Sequence, residues 1–170
     1  MSRLIADASA LVSLGIVTDD DPDPLALCLS IYEVVVPTAV IDELREIASY
    51  DDVHGHAAST VLDQAELFTT QSADLDAEFP LDDGENAAVT LANDLEAALF
   101  LCDEFNQLGL IHASLVDTRL VTTPTLFSAF VRTGQLSAAD ARVLLDEISD
   151  ARSWGANSYV QRARSLFEES

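Results

Sequence analysis

The chain has 170 residues, 49% of them hydrophobic, enough for one well-filled core and too apolar for a disordered polymer. Thirty Asp and Glu face eight Arg and no Lys, a formal net charge of −22. No apolar run approaches a membrane span, and the opening MSRLIADAS has no signal-peptide pattern, so a cytoplasmic protein with no membrane partner is expected.

In chain order, residues 3–6 read as a short buried strand ending at Asp7, followed by a helix over 8–16. Asp23-Pro24 reads as an N-cap with Pro at the first helical position, opening a helix to about residue 31. A β-branched second strand, 33–36, is stopped by Pro37, and Thr38 is a candidate cap for a helix over 39–49 that carries Glu43. DDVHGH reads as a loop before a helix at 57–64, and 67–70 as a third strand. An acidic loop, SADLDAEFPLDD, leads into a helix over 84–95 that opens with Glu85. A fourth strand, 98–102, ends at Asp103; a helix is expected over 104–115 and a fifth strand over 120–122.

From Thr123-Pro124 onward the chain reads as all helical. One helix stops before Gly134, Ser137 with Asp140 resembles a capping box for the next, and a last one starts at Asn157 or Ser158 and ends near Glu168. Strands alternating with helices imply a parallel sheet covered on both faces, with sites at the carboxyl ends of its strands. The expectation is an α/β fold, a single domain over 1–170 whose residues from about 124 form a helical C-terminal extension.

Three isolated acids in or beside apolar runs (Asp7, Glu43 and Asp103), with Glu85 at a helix start, are the candidate site. A lone buried carboxylate is costly, and several converging on one sheet edge repel each other unless a cation lies between them. Hard oxygen ligands without clustered Cys or His suit Mg²⁺ or Mn²⁺, which support phosphodiester hydrolysis. Ser9 has two readings: a partner for a carboxylate or phosphate, or a helix N-cap. Helix capping and solvated helix faces remain the bland readings of the four acids, and Asp82 and Asp83 compete with Glu85. His54 and His56 read as residues of a solvated loop, His112 as a helix-face residue and Trp154 as an anchor for the C-terminal helices. Cys28 and Cys102 read as free buried thiols whose spacing suits no zinc site.

The acids are spread over every loop and helix face rather than gathered in one tail, which suits the molar-salt cytoplasm of a halophilic archaeon. There the Debye length is roughly 3 Å and self-repulsion is screened. The competing reading is a surface that mimics nucleic acid or docks a basic partner.

These segments together resemble the PIN domain, whose members include VapC-type toxin ribonucleases. IADASALVSL resembles the first strand with its metal-binding aspartate, at Asp7; VVVPTAVIDELRE resembles the segment of the second acid, at Glu43. LDDGENAAVTLAND resembles the third acidic block, at Glu85, and ALFLCDEF the fourth, at Asp103. The region from RLVTTPTLFSAFVRTGQL through SWGANSYVQRA resembles a subgroup with a longer helical C-terminus. The resemblance implies a PIN-like three-layer α/β/α sandwich and a Mg²⁺- or Mn²⁺-dependent endoribonuclease. It makes Asp7, Glu43, Glu85 and Asp103 catalytic metal ligands; beside them Ser9, Asp83 and Glu104 are accessory candidates, Glu104 reading equally as the first turn of a helix. RNA, a small antitoxin protein and a second copy in a homodimer are the implied partners. The chain departs from the pattern in its few basic residues (Arg45, Arg119 and Arg132 among them) and in having Thr122 and Thr123 where the subgroup often holds Gly. The alternative is a catalytically inactive PIN-like module that binds RNA or a protein. A receiver domain is excluded by the missing Lys, and a haloacid-dehalogenase-like phosphatase by Asp7-Ala8-Ser9 where Asp-x-Asp is required.

Overall fold

The computed structural model describes residues 1–168. Its strands are β1 (Arg3–Ala6), β2 (Glu33–Pro37), β3 (Thr69–Gln71), β4 (Leu99–Leu101) and β5 (Arg119–Val121). They form one five-stranded sheet in the order β3-β2-β1-β4-β5, every neighbouring pair parallel. The helices are α1 (Ala8–Ile16), α2 (Pro24–Ile31), α3 (Thr38–Ala48), α4 (Val53–Leu62), α5 (Asp83–Asp94), α6 (Leu108–Ser114), α7 (Thr123–Arg132), α8 (Ala138–Arg152) and α9 (Ser158–Glu168).

The apolar strands are buried on both faces, which explains why they read as unbroken runs rather than alternating patterns. Leu4, Ala6, Val34, Val36 and Leu101 join a core with α1, α3, α4 and α7–α9. Ile5, Val35, Phe100 and Cys102 point the other way, into a second core with α5 and α6. This is the expected three-layer α/β/α sandwich with a central parallel sheet and C-terminal helices. The extension is part of the first core: Leu126, Phe127, Leu145, Ile148 and Phe167 are all sealed there. Each such side chain contributes about 1.5–3 kcal/mol on burial. Helix α1 is apolar except for the side bearing Ser9 and Ser13, and nearly all of it is buried. Its Gly15 allows a close approach to α4, since a Cβ there would lie 2.5 Å from the Ala57 carbonyl oxygen. Among the described residues no helix is long and apolar enough to cross a membrane.

The structure departs from the sequence expectations in four places. Helix α4 starts at Val53, inside the stretch read as a loop, because the Asp52 side chain accepts the Gly55 N–H at 2.7 Å and caps it. Thr38 is the first helical residue of α3 rather than its cap; Pro37 holds the cap position, and the Thr38 hydroxyl bonds Ser72 at 3.1 Å. The third strand is shifted to the polar Thr69–Gln71, while Leu67 ends a 3-10 turn and is exposed. Helix α6 begins only at Leu108. Residues 104–107 form a turn, closed by the Gln107 N–H donating to the Glu104 carbonyl at 2.9 Å. The two cysteines are free and buried, as expected.

Candidate active site

The chain runs outward from β1 through β2 to β3, then returns to the other side of β1 for β4 and β5. The direction of winding reverses between β1 and β4, and such a reversal opens a crevice at the carboxyl ends of the two strands. Asp7 directly follows β1, and Asp103 and Glu104 lie just past β4. The loop after β2 leads into α3 with Glu43, and α5, carrying Glu85 in its first turn, packs beside α3.

Asp7 is 2% exposed. Its Oδ2 accepts a hydrogen bond from Ser9 Oγ at 3.0 Å, with Cys102 Sγ at 3.6 Å, whereas Oδ1 is buried and has no hydrogen-bond partner among the described residues. Burial pushes the Asp7 carboxyl up to about 6, against the pull of the Ser9 bond, and the negative charges of Asp82 and Glu104 push the same way. Ser9 also accepts the Asp103 N–H at 2.9 Å, so one hydroxyl ties the ends of β1 and β4 together. Of its two sequence readings, the structure shows the carboxylate partner; the N-cap of α1 is Asp7.

Glu43 is half-buried, and burial followed by the charges of Asp7, Asp82 and Glu104 raises it to about 7. Glu85 is 6% exposed and is raised to about 8 by burial, then by Asp82, Asp7, Glu104 and Glu43. The Asp82 side chain caps α5 by accepting the Glu85 N–H at 2.8 Å. Asp83 is exposed in the first turn of the same helix. Gly84 lets the two helices close over the acids: a Cβ there would sit 2.5 Å from Glu43 Oε2. Because the obstructing atom is the tip of a flexible side chain, Gly84→Ala is expected to leave the melting temperature within a few degrees of wild type. It should displace the Glu43 carboxylate; if that carboxylate holds a divalent cation, calorimetry should show binding weakened about tenfold.

Asp103 shares the crevice but its carboxylate is engaged elsewhere. Oδ1 accepts the Thr123 N–H at 2.7 Å and Oδ2 accepts Thr123 Oγ1 at 2.6 Å. Burial raises its pKa, the two Thr123 bonds lower it, and the charge of Arg152 helps to hold it ionised. The neighbouring Glu104 is the acid from this turn whose charge raises Asp7, Glu43 and Glu85. Its turn is pinned by Phe105, which packs edge-on against Trp154 (centroids 5.0 Å apart) and stacks on Tyr159 at 5.5 Å.

Arg152 is the cation behind the site. It donates to the Ser9 carbonyl and to Ser13 Oγ, and its guanidinium carbon lies 5.4 Å from the centre of the Trp154 ring. Burial lowers its pKa, and the charges of Asp103, Glu104 and Asp7 work to raise it. Sequence reasoning had no signal for Arg152, which stands at the end of α8 in a stretch without a site motif. In the sequence Asp82 stands only as a competitor of Glu85, whereas its charge raises Asp7, Glu43 and Glu85 in the folded chain. The histidines lie apart: His56 pairs with Asp51 at 3.3 Å on the exposed face of α4, and His112 belongs to α6.

Asp7, Glu43, Asp82, Glu85 and Glu104 thus form a group of mutually repelling carboxylates. The partnerless Asp7 Oδ1 and the upward shifts mark uncompensated negative charge in the crevice, which either bound protons or a cation would relieve. Among the described residues, no three His, Cys, Asp or Glu side chains are drawn closely enough together to chelate one ion.

No curated protein shows significant similarity to this chain. A family model, DUF3368, described as a PIN domain, matches residues 3–169. PIN domains are generally metal-dependent ribonucleases, and the all-parallel five-stranded sheet flanked by helices is consistent with that nuclease-type fold. The chain belongs to the PIN-domain family.

Proposed function

We propose that the protein is a metal-dependent endoribonuclease that hydrolyses RNA phosphodiesters at the β1–β4 crevice. The observation that carries this reading is the buried, partnerless Oδ1 of Asp7 within a group of carboxylates. Asp7, Glu43 and Glu85 would hold Mg²⁺ or Mn²⁺, with Glu104 and Asp82 at the edge of the site. Asp103 is a positioning residue, fixing the turn through Thr123 and Ser9. When bound, the cation supplies Lewis acidity toward water and phosphate oxygen. The chain's own residues do the rest. Ser9 holds Asp7 in one rotamer. Glu43 and Glu85, raised to about 7 and about 8, keep a proton at the crevice near neutral pH until a cation displaces it.

The second reading, a catalytically inactive module that binds RNA or a protein, is favoured by the spacing of the acids, which is too wide to chelate as they stand. Incubating single-stranded RNA with the protein in molar KCl separates the two. Cleavage that requires Mn²⁺ or Mg²⁺ and stops with EDTA supports the nuclease; none under any of these conditions supports the inactive module. The same experiment with a neighbouring-gene product added tests the toxin reading, in which a small antitoxin silences cleavage.

Metal binding has a pH signature. A carboxyl whose folded pKa lies above its unfolded value binds protons more tightly when folded, so it stabilises the fold at low pH and loses that contribution as pH rises. For Asp7, Glu43 and Glu85 the window runs from about pH 4 to about pH 8. The metal-free protein is therefore expected to melt at a lower temperature at pH 8 than at pH 5. Added Mn²⁺ should raise the melting temperature at pH 8 and have little effect at pH 5. With −22 of net charge, lowering KCl from molar to 0.1 M should destabilise the fold through self-repulsion.

A further inference from the structure

A second feature lies away from the acidic crevice and is independent of the nuclease reading. A half-enclosed cavity of about 490 Å³ opens between the β4–β5 end of the sheet and helices α7 and α9. Three of the chain's eight arginines, Arg119 on β5, Arg132 on α7 and Arg162 on α9, line it. All three are exposed, and among the described residues none of them makes an ion pair, although acids outnumber arginines by 30 to 8. The other arginines mostly have carboxylates to hand: Arg3 pairs with Glu33, Arg45 with Asp42 and Arg164 with Asp146. On a surface this acidic, three guanidinium groups brought from three separate elements to one concavity with no carboxylate among its described lining residues are a local reversal of charge.

We propose that this cavity binds a nucleotide, with its phosphate on Arg119, Arg132 and Arg162. Guanidinium groups match phosphate oxygens as paired donors. The volume lies within the range of small-ligand sites. Val121 and Leu126 supply apolar lining, and Tyr32 and Tyr159 supply aromatic lining suited to a base. A compact pocket of this kind suits one nucleotide better than an extended acidic peptide, which needs a long groove. The nucleotide has two sources, a free mononucleotide or one unit of a bound RNA strand.

Calorimetry in EDTA keeps any RNA intact and removes the acidic crevice from the measurement. Titrants are adenosine diphosphate, a single-stranded RNA hexamer, inorganic phosphate and a Glu-rich peptide, at the lowest KCl that preserves the circular-dichroism spectrum. Binding of either nucleotide probe should weaken about tenfold or more in Arg132→Ala and in Arg162→Ala, each removing a charge-assisted contact. It should weaken less in Arg132→Lys, and stay unchanged in Arg142→Ala, whose side chain lies outside the cavity. Affinity for diphosphate marks a free nucleotide as the ligand; affinity for the hexamer alone marks an RNA strand. The proposal is overturned if neither probe binds, if Arg132→Ala and Arg162→Ala bind as wild type does, or if inorganic phosphate or the peptide binds as tightly as the nucleotide probes. Because no divalent metal is present, each of these results is separate from success or failure of the cleavage assay.

Discussion

Asp7→Asn is expected to abolish RNA cleavage while raising the stability of the metal-free protein at pH 8. The two effects have one origin. Asp7 is 2% exposed, and burial lifts its carboxyl from 3.8 to about 6, so the folded chain carries its charge at pH 8 against a penalty. At about 1.4 kcal/mol per unit, that penalty is about 3 kcal/mol. Asparagine keeps the shape and an acceptor for Ser9 while removing the charge, so a gain of about 1–3 kcal/mol is expected, a rise of several degrees in melting temperature. Below about pH 4 the gain should vanish, since Asp7 is then neutral in both folded and unfolded chains. On the proposed function Asp7 holds the cation, and its loss as a ligand should lower cleavage by at least about a hundredfold. A cleavage assay with Mn²⁺ and a thermal melt in EDTA read the two effects on the same sample. Wild-type cleavage by Asp7→Asn would remove Asp7 from the chemistry. Lost cleavage accompanied by a lower melting temperature would point to damaged folding instead.

The second large effect is expected at Arg152. Its guanidinium donates to the Ser9 carbonyl and Ser13 Oγ, packs beside Trp154 and is the positive charge that favours ionised Asp103. Arg152→Met keeps much of the side-chain volume but takes one donor from the Ser9 carbonyl, which retains Ser13 Oγ, and removes the counter-charge of the buried Asp103 carboxylate, which retains its two Thr123 bonds. Removing one partner from such an arrangement costs about 3 kcal/mol or more, because the remaining charge stays buried. Urea denaturation at pH 7.5 should show that loss, and it should shrink near pH 4 as Asp103 and its neighbours take up protons. Arg152→Lys keeps the charge without the paired donor geometry and should lose roughly half as much. Equal stability of wild type and Arg152→Met across this pH range would show that the acids need no compensation from the extension.

Much of the architecture was legible along the chain because its causes are local. Leu4 to Ala6 and Val34 to Val36 sit between two helical layers and must be apolar at every position, which makes them conspicuous. Pro24 and Pro124 mark helix starts because a missing N–H costs nothing there. The strand that was misplaced, Thr69–Gln71, is the edge strand whose residues are all exposed, so burial never shaped its composition. The start of helix α4 is not legible in the sequence because it depends on one side-chain cap from Asp52 rather than on apolar periodicity.

At the site, the residue types and their order determined that acids gather where the winding of the sheet reverses, since strand ends and helix starts follow from local pattern. The direction each carboxylate faces was decided by tertiary contacts. Asp103 and Glu104 are neighbours in sequence, yet Thr123 and Arg152, arriving from β5–α7 and α8, hold one while the other faces Asp7, Glu43 and Glu85. The contact between Gly84 and Glu43, and the meeting of Arg119, Arg132 and Arg162 in one cavity, belong to the same class. Burial and helix propensity are written residue by residue in the chain, whereas charge compensation depends on distances between segments that only the folded packing brings together.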